Sequence, residues 1–166
     1  MAKLFDLERA EIAARYLIKE LQSGTNVIAI AGSIRRRKAL VHDIDLVAIP
    51  LGSGGLLAQC FQRMRISPKG GAKILKLQCM GIPVDLYIAT PQTWATLLLI
   101  RTGSKEHNIR LCRRARSKGM TLKANGEGLV VNDPDGKGES YPLTDIRKEQ
   151  DIFKLLDLPY REPWER

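Results

Sequence analysis

The 166 residues suffice for one ordinary domain or two small lobes, and a hydrophobic content of 44% excludes wholesale disorder. The net charge of +9 favours an anionic partner, most often nucleic acid or a membrane surface. No apolar run approaches the roughly 20 residues of a membrane span, and the charged N-terminus lacks a secretion signal. We therefore expect a cytoplasmic protein whose three cysteines, without metal-site spacing, are ordinary thiols.

Hydrophobic periodicity predicts the elements of the first half in chain order. Apolar residues recur at helical spacing over residues 6–22 and predict a helix. The runs NVIAIAG and HDIDLVAIP predict two buried strands, the second closed by Pro50. A loop over 52–55, a short helix over 56–64 and two alternating strands, AKILKLQCM and GIPVDLYIAT, complete this half.

The second half changes character after Thr90-Pro91, which predicts a helix start. The residues TGS interrupt this helix, and KEHNIRLCRRARSKGM predicts a strongly basic helix that ends at Gly119. Residues 121–141 are rich in Gly, Asn and Asp and predict short strands joined by long loops. RKEQDIFKLLDL predicts a last helix, followed by a tail that we expect Trp164 to pack down.

Three acidic residues interrupt strands that are otherwise apolar. Asp43 and Asp45 alternate with Ile44, so on a strand their Cα atoms lie roughly 6.6 Å apart and their carboxylates face one side. Asp85 would reach the same site if its strand lies next to theirs. Mg²⁺ prefers carboxylate oxygens, and three convergent acids suit a two-metal site for phosphoryl transfer. The alternative is a surface pair, which most D-x-D sequences are.

A Gly-Ser turn after the first strand precedes these acids. Its backbone N–H groups and the Ser33 hydroxyl can face a phosphate, and Arg36 can add a bidentate contact. The alternative is a solvated loop, which we expect to hold for two or three of the cations in this run.

The basic helix predicts a nucleic-acid contact. Arg110, Arg113 and Arg114 have i, i+3, i+4 spacing and share one face, from which they can contact DNA phosphates without reading sequence. The alternative is a solvated amphipathic helix.

Taken together, these motifs resemble those of the family X DNA polymerases. A Gly-Ser turn, an arginine three residues past the serine and D-x-D on the next strand resemble the nucleotidyltransferase fold of DNA polymerase beta, which other transferases share. TGSKEHN resembles the family's T-G-S-x-x-x-N segment, and YREP resembles its C-terminus. The resemblance covers nearly the whole chain. It implies an α+β fold, with a palm of mixed β-sheet and helices over 1–91 and a small α+β lobe over 92–166 that binds DNA and the nascent base pair.

The resemblance also implies roles for individual residues. Asp43 and Asp45 would hold two Mg²⁺ ions, for which Mn²⁺ is a plausible substitute, while Asp85 would hold only the catalytic ion and accept the primer hydroxyl proton. The incoming nucleotide would be bound by Gly32, Ser33, Arg36, Gly103, Ser104 and Asn108. Three residues that depart from the family pattern, His42, Ile100 and Arg101, are assigned to the same nucleotide site, with the alternative that His42 only fills space. The DNA would be bound by Lys105, Arg110, Arg113, Arg114 and Arg116.

The expected activity is that of a monomeric, template-directed DNA polymerase that fills short gaps during DNA repair, with primer–template DNA and dNTP as its partners. Ile100-Arg101 stands where the family has two aromatic residues, which predicts weak discrimination against ribonucleotides. The resemblance starts at the palm, so we do not expect the lyase activity of the family's N-terminal domain. A template-independent nucleotidyltransferase and a non-catalytic nucleic-acid-binding module remain as alternatives.

Overall fold

Two units of helices and strands, Met1–Ala89 and Thr90–Arg166, make up the chain. The computed structural model describes residues 3–132, 141–143 and 145–166. Each unit contains its own cluster of buried apolar side chains. Helices and strands are mixed in both, so the α+β class predicted from the sequence is confirmed.

A five-stranded mixed sheet forms the centre of the first unit. Its strands are, from edge to edge, β2 (Thr25–Ile30), β4 (Ile44–Pro50), β7 (Ile82–Ile88), β6 (Ile74–Cys79) and β5 (Lys69–Gly71). Only the β4–β7 pair is parallel. Strands β6 and β7 form the predicted hairpin, with Cys79 paired to Ile82 across a tight turn. The predicted strands therefore exist, and their pairing makes the sheet mixed.

Two amphipathic helices, α1 (Leu7–Leu21) and α3 (Gly55–Arg63), contribute buried side chains to the same core as the sheet. Helix α1 agrees with the prediction over 6–22, and its buried residues recur at helical spacing. A 3-10 turn that follows α1 approaches α3 closely, because a Cβ on Gly24 would lie 2.7 Å from the Leu57 Cα. Only a residue without a side chain allows that approach.

Several short elements, among them β5 of the central sheet, were not predicted. The Gly-Ser turn is a single-turn helix, α2 (Gly32–Arg35), and β1 (Phe5–Asp6) pairs with β3 (Leu40–Val41). They carry no periodic signal, because each is only two to four residues long. In addition, β4 begins at Ile44, whereas the sequence predicted a strand that included Asp43.

The second unit packs three helices with a small antiparallel sheet. Its elements are α4 (Trp94–Thr102), α5 (Lys105–Ser117), β8 (Met120–Leu122), β9 (Leu129–Val131), β10 (Tyr141–Pro142) and α6 (Glu149–Leu155). The sheet order is β10-β9-β8. Thr90-Pro91 opens a turn before α4, not the helix itself; the Thr90 carbonyl accepts the Trp94 N–H.

Arg166 anchors the C-terminal tail. The Arg166 guanidinium is fully buried; its Nη1 donates to Glu149 Oε1 at 2.8 Å and its Nε donates to the Arg161 carbonyl at 2.9 Å. It also lies 5.4 Å from the centroids of both the Phe153 and Tyr160 rings. Trp164, which we expected to hold the tail, is 49% exposed.

The remaining global expectations concern thiols and membranes. All three cysteines are free thiols, two of them buried. Within the described ranges, no helix is both long and apolar enough to cross a membrane.

Candidate functional site

The two parallel strands of the sheet bring two carboxylates side by side. Strands β4 and β7 pair so that Asp45 lies directly opposite Asp85. Residues paired in this way project from the same face of a sheet, on strands about 4.8 Å apart. Both residues are half-buried, and the side chain of Asp85 is 21% exposed. The strand adjacency on which a shared acidic site depends is therefore present.

The third acid, Asp43, is placed differently. It lies in a bend just before β4, and the rule that residues two apart share a face applies only inside a strand. Within the described part of the chain, no three Asp, Glu, His or Cys side chains are grouped as a metal site. The structure thus pairs Asp45 with Asp85 and leaves Asp43 at the entrance of the strand.

Gly32 is in close contact with one of these acids. Its φ is +58°, and a Cβ there would lie 1.9 Å from Asp45 Oδ2. The backbone joins the same two segments, since the Ala31 N–H donates to the Asp45 carbonyl at 2.8 Å. A glycine is therefore required both by the left-handed backbone and by the position of the carboxylate. Helix α2, which carries Ser33 and leads to Arg36, is held against β4 in this way.

Lys76 is a site residue that the sequence analysis missed. It lies opposite Asp85 on β6, and its Nζ donates to both carboxylate oxygens, at 3.0 and 3.1 Å. The Tyr87 hydroxyl donates to Asp85 Oδ2 at 3.4 Å. Counting back from the tight hairpin turn would have paired positions 76 and 85, because turn length sets the register.

The donor set at this sheet face fits Mg²⁺ in its chemistry. Asp45 and Asp85 offer hard carboxylate oxygens, the ligands that Mg²⁺ prefers. The contact with Gly32 limits the positions open to the Asp45 carboxylate, while both acids keep access to solvent. The third acid, Asp43, directly precedes the first residue of β4 in the sequence.

In the second unit, the TGS segment is a junction between two helices. Gly103 ends α4 with a φ of +68°, and its N–H donates to the Leu99 carbonyl at 3.2 Å. Ser104 begins α5, and its Oγ accepts the His107 N–H at 3.3 Å; the Gly103–Ser104 peptide is cis. A glycine after one helix and a serine N-cap on the next are what such a junction needs.

Two of the residues predicted to bind nucleotide are used inside the second unit. The Asn108 Nδ2 donates to the Ile100 carbonyl at 2.8 Å, which ties the start of α5 to the end of α4. Among the described residues, nothing hydrogen-bonds to the buried Asn108 Oδ1. Ile100 is 7% exposed and belongs to the core of this unit, and Arg101 is half-buried. In the first unit, His42 is exposed.

The cations of α5 divide into two groups. Lys105, Arg110, Arg113 and Arg116 are exposed. Arg114 instead donates from Nε to the Leu156 carbonyl at 2.8 Å and, with Lys118, forms an ion pair with Asp157. The Lys118 ammonium, which donates to that carboxylate, holds the pKa of Asp157 below its usual value. Arg114 therefore stabilises the C-terminal end of α6, a role that its helical spacing did not indicate.

His107 is buried next to Phe153, with ring centroids 5.7 Å apart. Burial, followed by the charges of Arg166, Arg110 and Arg161, lowers the pKa of His107 to about 4. The imidazole is thus neutral at physiological pH and packs in the interior of the second unit.

Comparison with known proteins shows what these two units are similar to. Residues 97–166 match the family model described as DNA polymerase beta thumb. DNA polymerase lambda of Rattus norvegicus is 28% identical over 96% of this chain, and DNA polymerase/3'-5' exonuclease PolX of Bacillus subtilis (strain 168) is 25% identical over 90% of it. The structure is similar, with a TM-score of 0.76 and 22% identity, to Leishmania infantum polymerase beta in a ternary P/T complex. That match covers 99% of this chain and 77% of the other.

The matches cover a much larger share of this chain than of its relatives. The chain spans only 32% of the length of the first of the two curated relatives and 26% of the second. The similarity in sequence thus extends over almost all of this chain but over less than a third of each relative.

Proposed function

We propose that the chain is a member of the family X DNA polymerases and acts as a template-directed DNA polymerase that adds nucleotides to a primer 3′-hydroxyl; the match of residues 97–166 to the DNA polymerase beta thumb model supports this membership. The observation that carries this proposal is the register of the parallel strands, which sets Asp45 opposite Asp85. Two adjacent carboxylates on one accessible sheet face are a site for hard divalent cations, on which phosphoryl transfer depends. The relatives with sequence similarity are themselves DNA polymerases.

Asp45 and Asp85, with Asp43, would hold two Mg²⁺ ions, for which Mn²⁺ is a substitute. When bound, Mg²⁺ neutralises charge on the triphosphate and on the attacking oxygen. Asp85 accepts the proton of the primer hydroxyl, whose oxygen forms a bond to the α-phosphorus as the bond to the leaving pyrophosphate breaks. The role of the protein in such a reaction is mainly to position the reactants and stabilise charge.

The nucleotide phosphates are assigned to the first unit and the DNA to the second. Ser33 and Arg36, carried by α2 and the residue after it, would bind the β- and γ-phosphates. The exposed cations of α5, Lys105, Arg110, Arg113 and Arg116, would contact DNA phosphates. Such contacts give affinity without sequence preference, as filling of short gaps in repair requires.

Primer extension on a gapped duplex tests this proposal. With Mg²⁺ present and the four dNTPs supplied one at a time, we expect each product to follow the template base. Addition of the same nucleotide opposite every template base would instead identify a template-independent transferase. Lack of extension with either Mg²⁺ or Mn²⁺ would overturn the proposal.

A pair of glycine variants tests whether Asp45 must hold its observed position. Gly32→Ala places a methyl group against the Asp45 carboxylate, and we expect roughly a hundredfold slower extension, because misplacement by about 1 Å has effects of this size. Gly52→Ala is the matched control, since its φ of +55° is similar but no atom lies within 4 Å of the added Cβ. Alanine in this backbone conformation costs about 1–2 kcal/mol. Gly52→Ala should therefore lose about that much stability in urea unfolding, and Gly32→Ala should lose more because its methyl group also displaces the Asp45 carboxylate. Equal primer-extension rates for Gly32→Ala and Gly52→Ala would contradict the idea that Gly32 keeps the Asp45 carboxylate in position.

A further inference from the structure

We propose that Lys76 is a positioning residue whose ammonium group holds the Asp85 carboxylate and competes with the divalent metal ion for it. This inference rests on the proposed function, because it presumes that Asp85 binds a metal ion. Neither the sequence pattern nor the resemblance to a family indicated a role for this lysine.

The Lys76 ammonium contacts the same Asp85 carboxylate oxygens that would bind a metal ion. Lys76 Nζ lies 3.0 Å from one Asp85 oxygen and 3.1 Å from the other, so a single cation engages both. The two residues are directly paired across β6 and β7, which places their side chains next to each other. Asp45 lies on the other side of Asp85 in the same register. Asp85 is thus between a carboxylate and a cation.

Charge explains why a cation is useful at this place. Two carboxylates on adjacent strands repel each other, so a cation beside one of them stabilises the pair. Lys76 compensates one negative charge while no metal ion is bound. Its side chain is 62% exposed whereas that of Asp85 is 21% exposed, so the lysine is free to swing into solvent when a dication arrives.

The competition predicts a change in metal affinity that can be measured without catalysis. Lys76→Met removes the ammonium and keeps most of the aliphatic length. We expect this variant to bind Mn²⁺ about two- to fivefold more tightly than the wild-type chain, the range that corresponds to an exposed ion pair. Free Mn²⁺ is quantified by electron paramagnetic resonance, with the protein free of DNA and nucleotide.

The chain offers a matched control for the loss of charge. Lys69 is paired with Lys76 in register on the next strand, β5, so Lys69→Met removes the same charge one strand further from Asp85. We expect its Mn²⁺ affinity to remain close to that of the wild type. Lys76→Arg keeps a cation, so its Mn²⁺ affinity should also remain close to that of the wild type. In an Asp85→Asn background, Lys76→Met should not increase the Mn²⁺ affinity.

The outcomes separate this inference from the proposed function. An equal gain in Lys69→Met and Lys76→Met would show a general charge effect and overturn the role of Lys76. Asp45→Asn should abolish Mn²⁺ binding if the proposed metal site exists. If it does so, but Lys76→Met binds Mn²⁺ as tightly as the wild type or more weakly, the inference about Lys76 is overturned and the proposed function is not. If neither the wild type nor Lys76→Met binds Mn²⁺, the metal site of the proposed function fails, and the inference fails with it.

Discussion

Asp85→Asn is expected to slow primer extension by at least about a thousandfold, ~4 kcal/mol of lost transition-state stabilisation. The asparagine has the same shape but no charge, so it can neither hold a divalent cation strongly nor accept the primer proton. Asp45→Asn should have an effect of similar size, because Asp45 is paired with Asp85 in register. Single-turnover extension with saturating dNTP measures both.

DNA affinity provides the internal control for this prediction. The exposed cations assigned to DNA lie in α5, in the second unit, so both Asn variants should bind a gapped duplex as tightly as the wild type in fluorescence anisotropy. Asp6→Asn makes the same chemical change at an exposed position whose side chain forms no helix-capping hydrogen bond, and it should leave extension unchanged. An Asp85→Asn rate within tenfold of the wild type would refute the assigned site.

Arg166→Ala is expected to destabilise the second unit by about 3–5 kcal/mol, the usual cost of removing one partner of a buried ion pair. The substitution leaves the buried Glu149 carboxylate without this guanidinium and also removes the ring contacts with Phe153 and Tyr160. Both tryptophans of the chain, Trp94 and Trp164, lie in this unit, so tryptophan fluorescence during urea unfolding reports on it directly.

Arg161→Ala is the matched control, because it removes an exposed arginine from the same tail. Its effect should be within about 0.5 kcal/mol, as is usual for surface substitutions. Arg166→Lys should recover only part of the loss, since an ammonium cannot reproduce both the Glu149 contact and the bond to the Arg161 carbonyl. If Arg166→Ala and Arg161→Ala unfold at the same urea concentration, the buried pair of Arg166 and Glu149 does not stabilise the tail.

Long periodic segments were well predicted because their signal is local. The helix predicted over 6–22 is α1, and the alternating runs after residue 72 are β6 and β7, since burial of one face repeats along each segment. The single-turn helix α2 and the strand β3 were missed, because two to four residues cannot show a period. Pairing also moved the start of β4 from His42 to Ile44, which separated Asp43 from the strand.

The use of individual cations could not be predicted from helical spacing. Arg110, Arg113 and Arg114 share one helical face by their spacing, yet of these three it is Arg114 that donates to the Leu156 carbonyl, directly after α6. That contact depends on where α6 packs, which no local pattern encodes. The same holds for the tail, where the buried group is Arg166 and the aromatic Trp164 is exposed.

By itself, the sequence determined the α+β class, the long helices and strands, the acids as candidate ligands and the resemblance to family X, because these depend on residue types and their spacing. Only the tertiary structure decided which acids meet, through the parallel register of β4 and β7. It also decided that Lys76 holds Asp85, that Gly32 abuts Asp45, and that Arg114 and Arg166 act within the fold. Each of these contacts depends on how separate segments pair or pack, so no local sequence pattern predicts it.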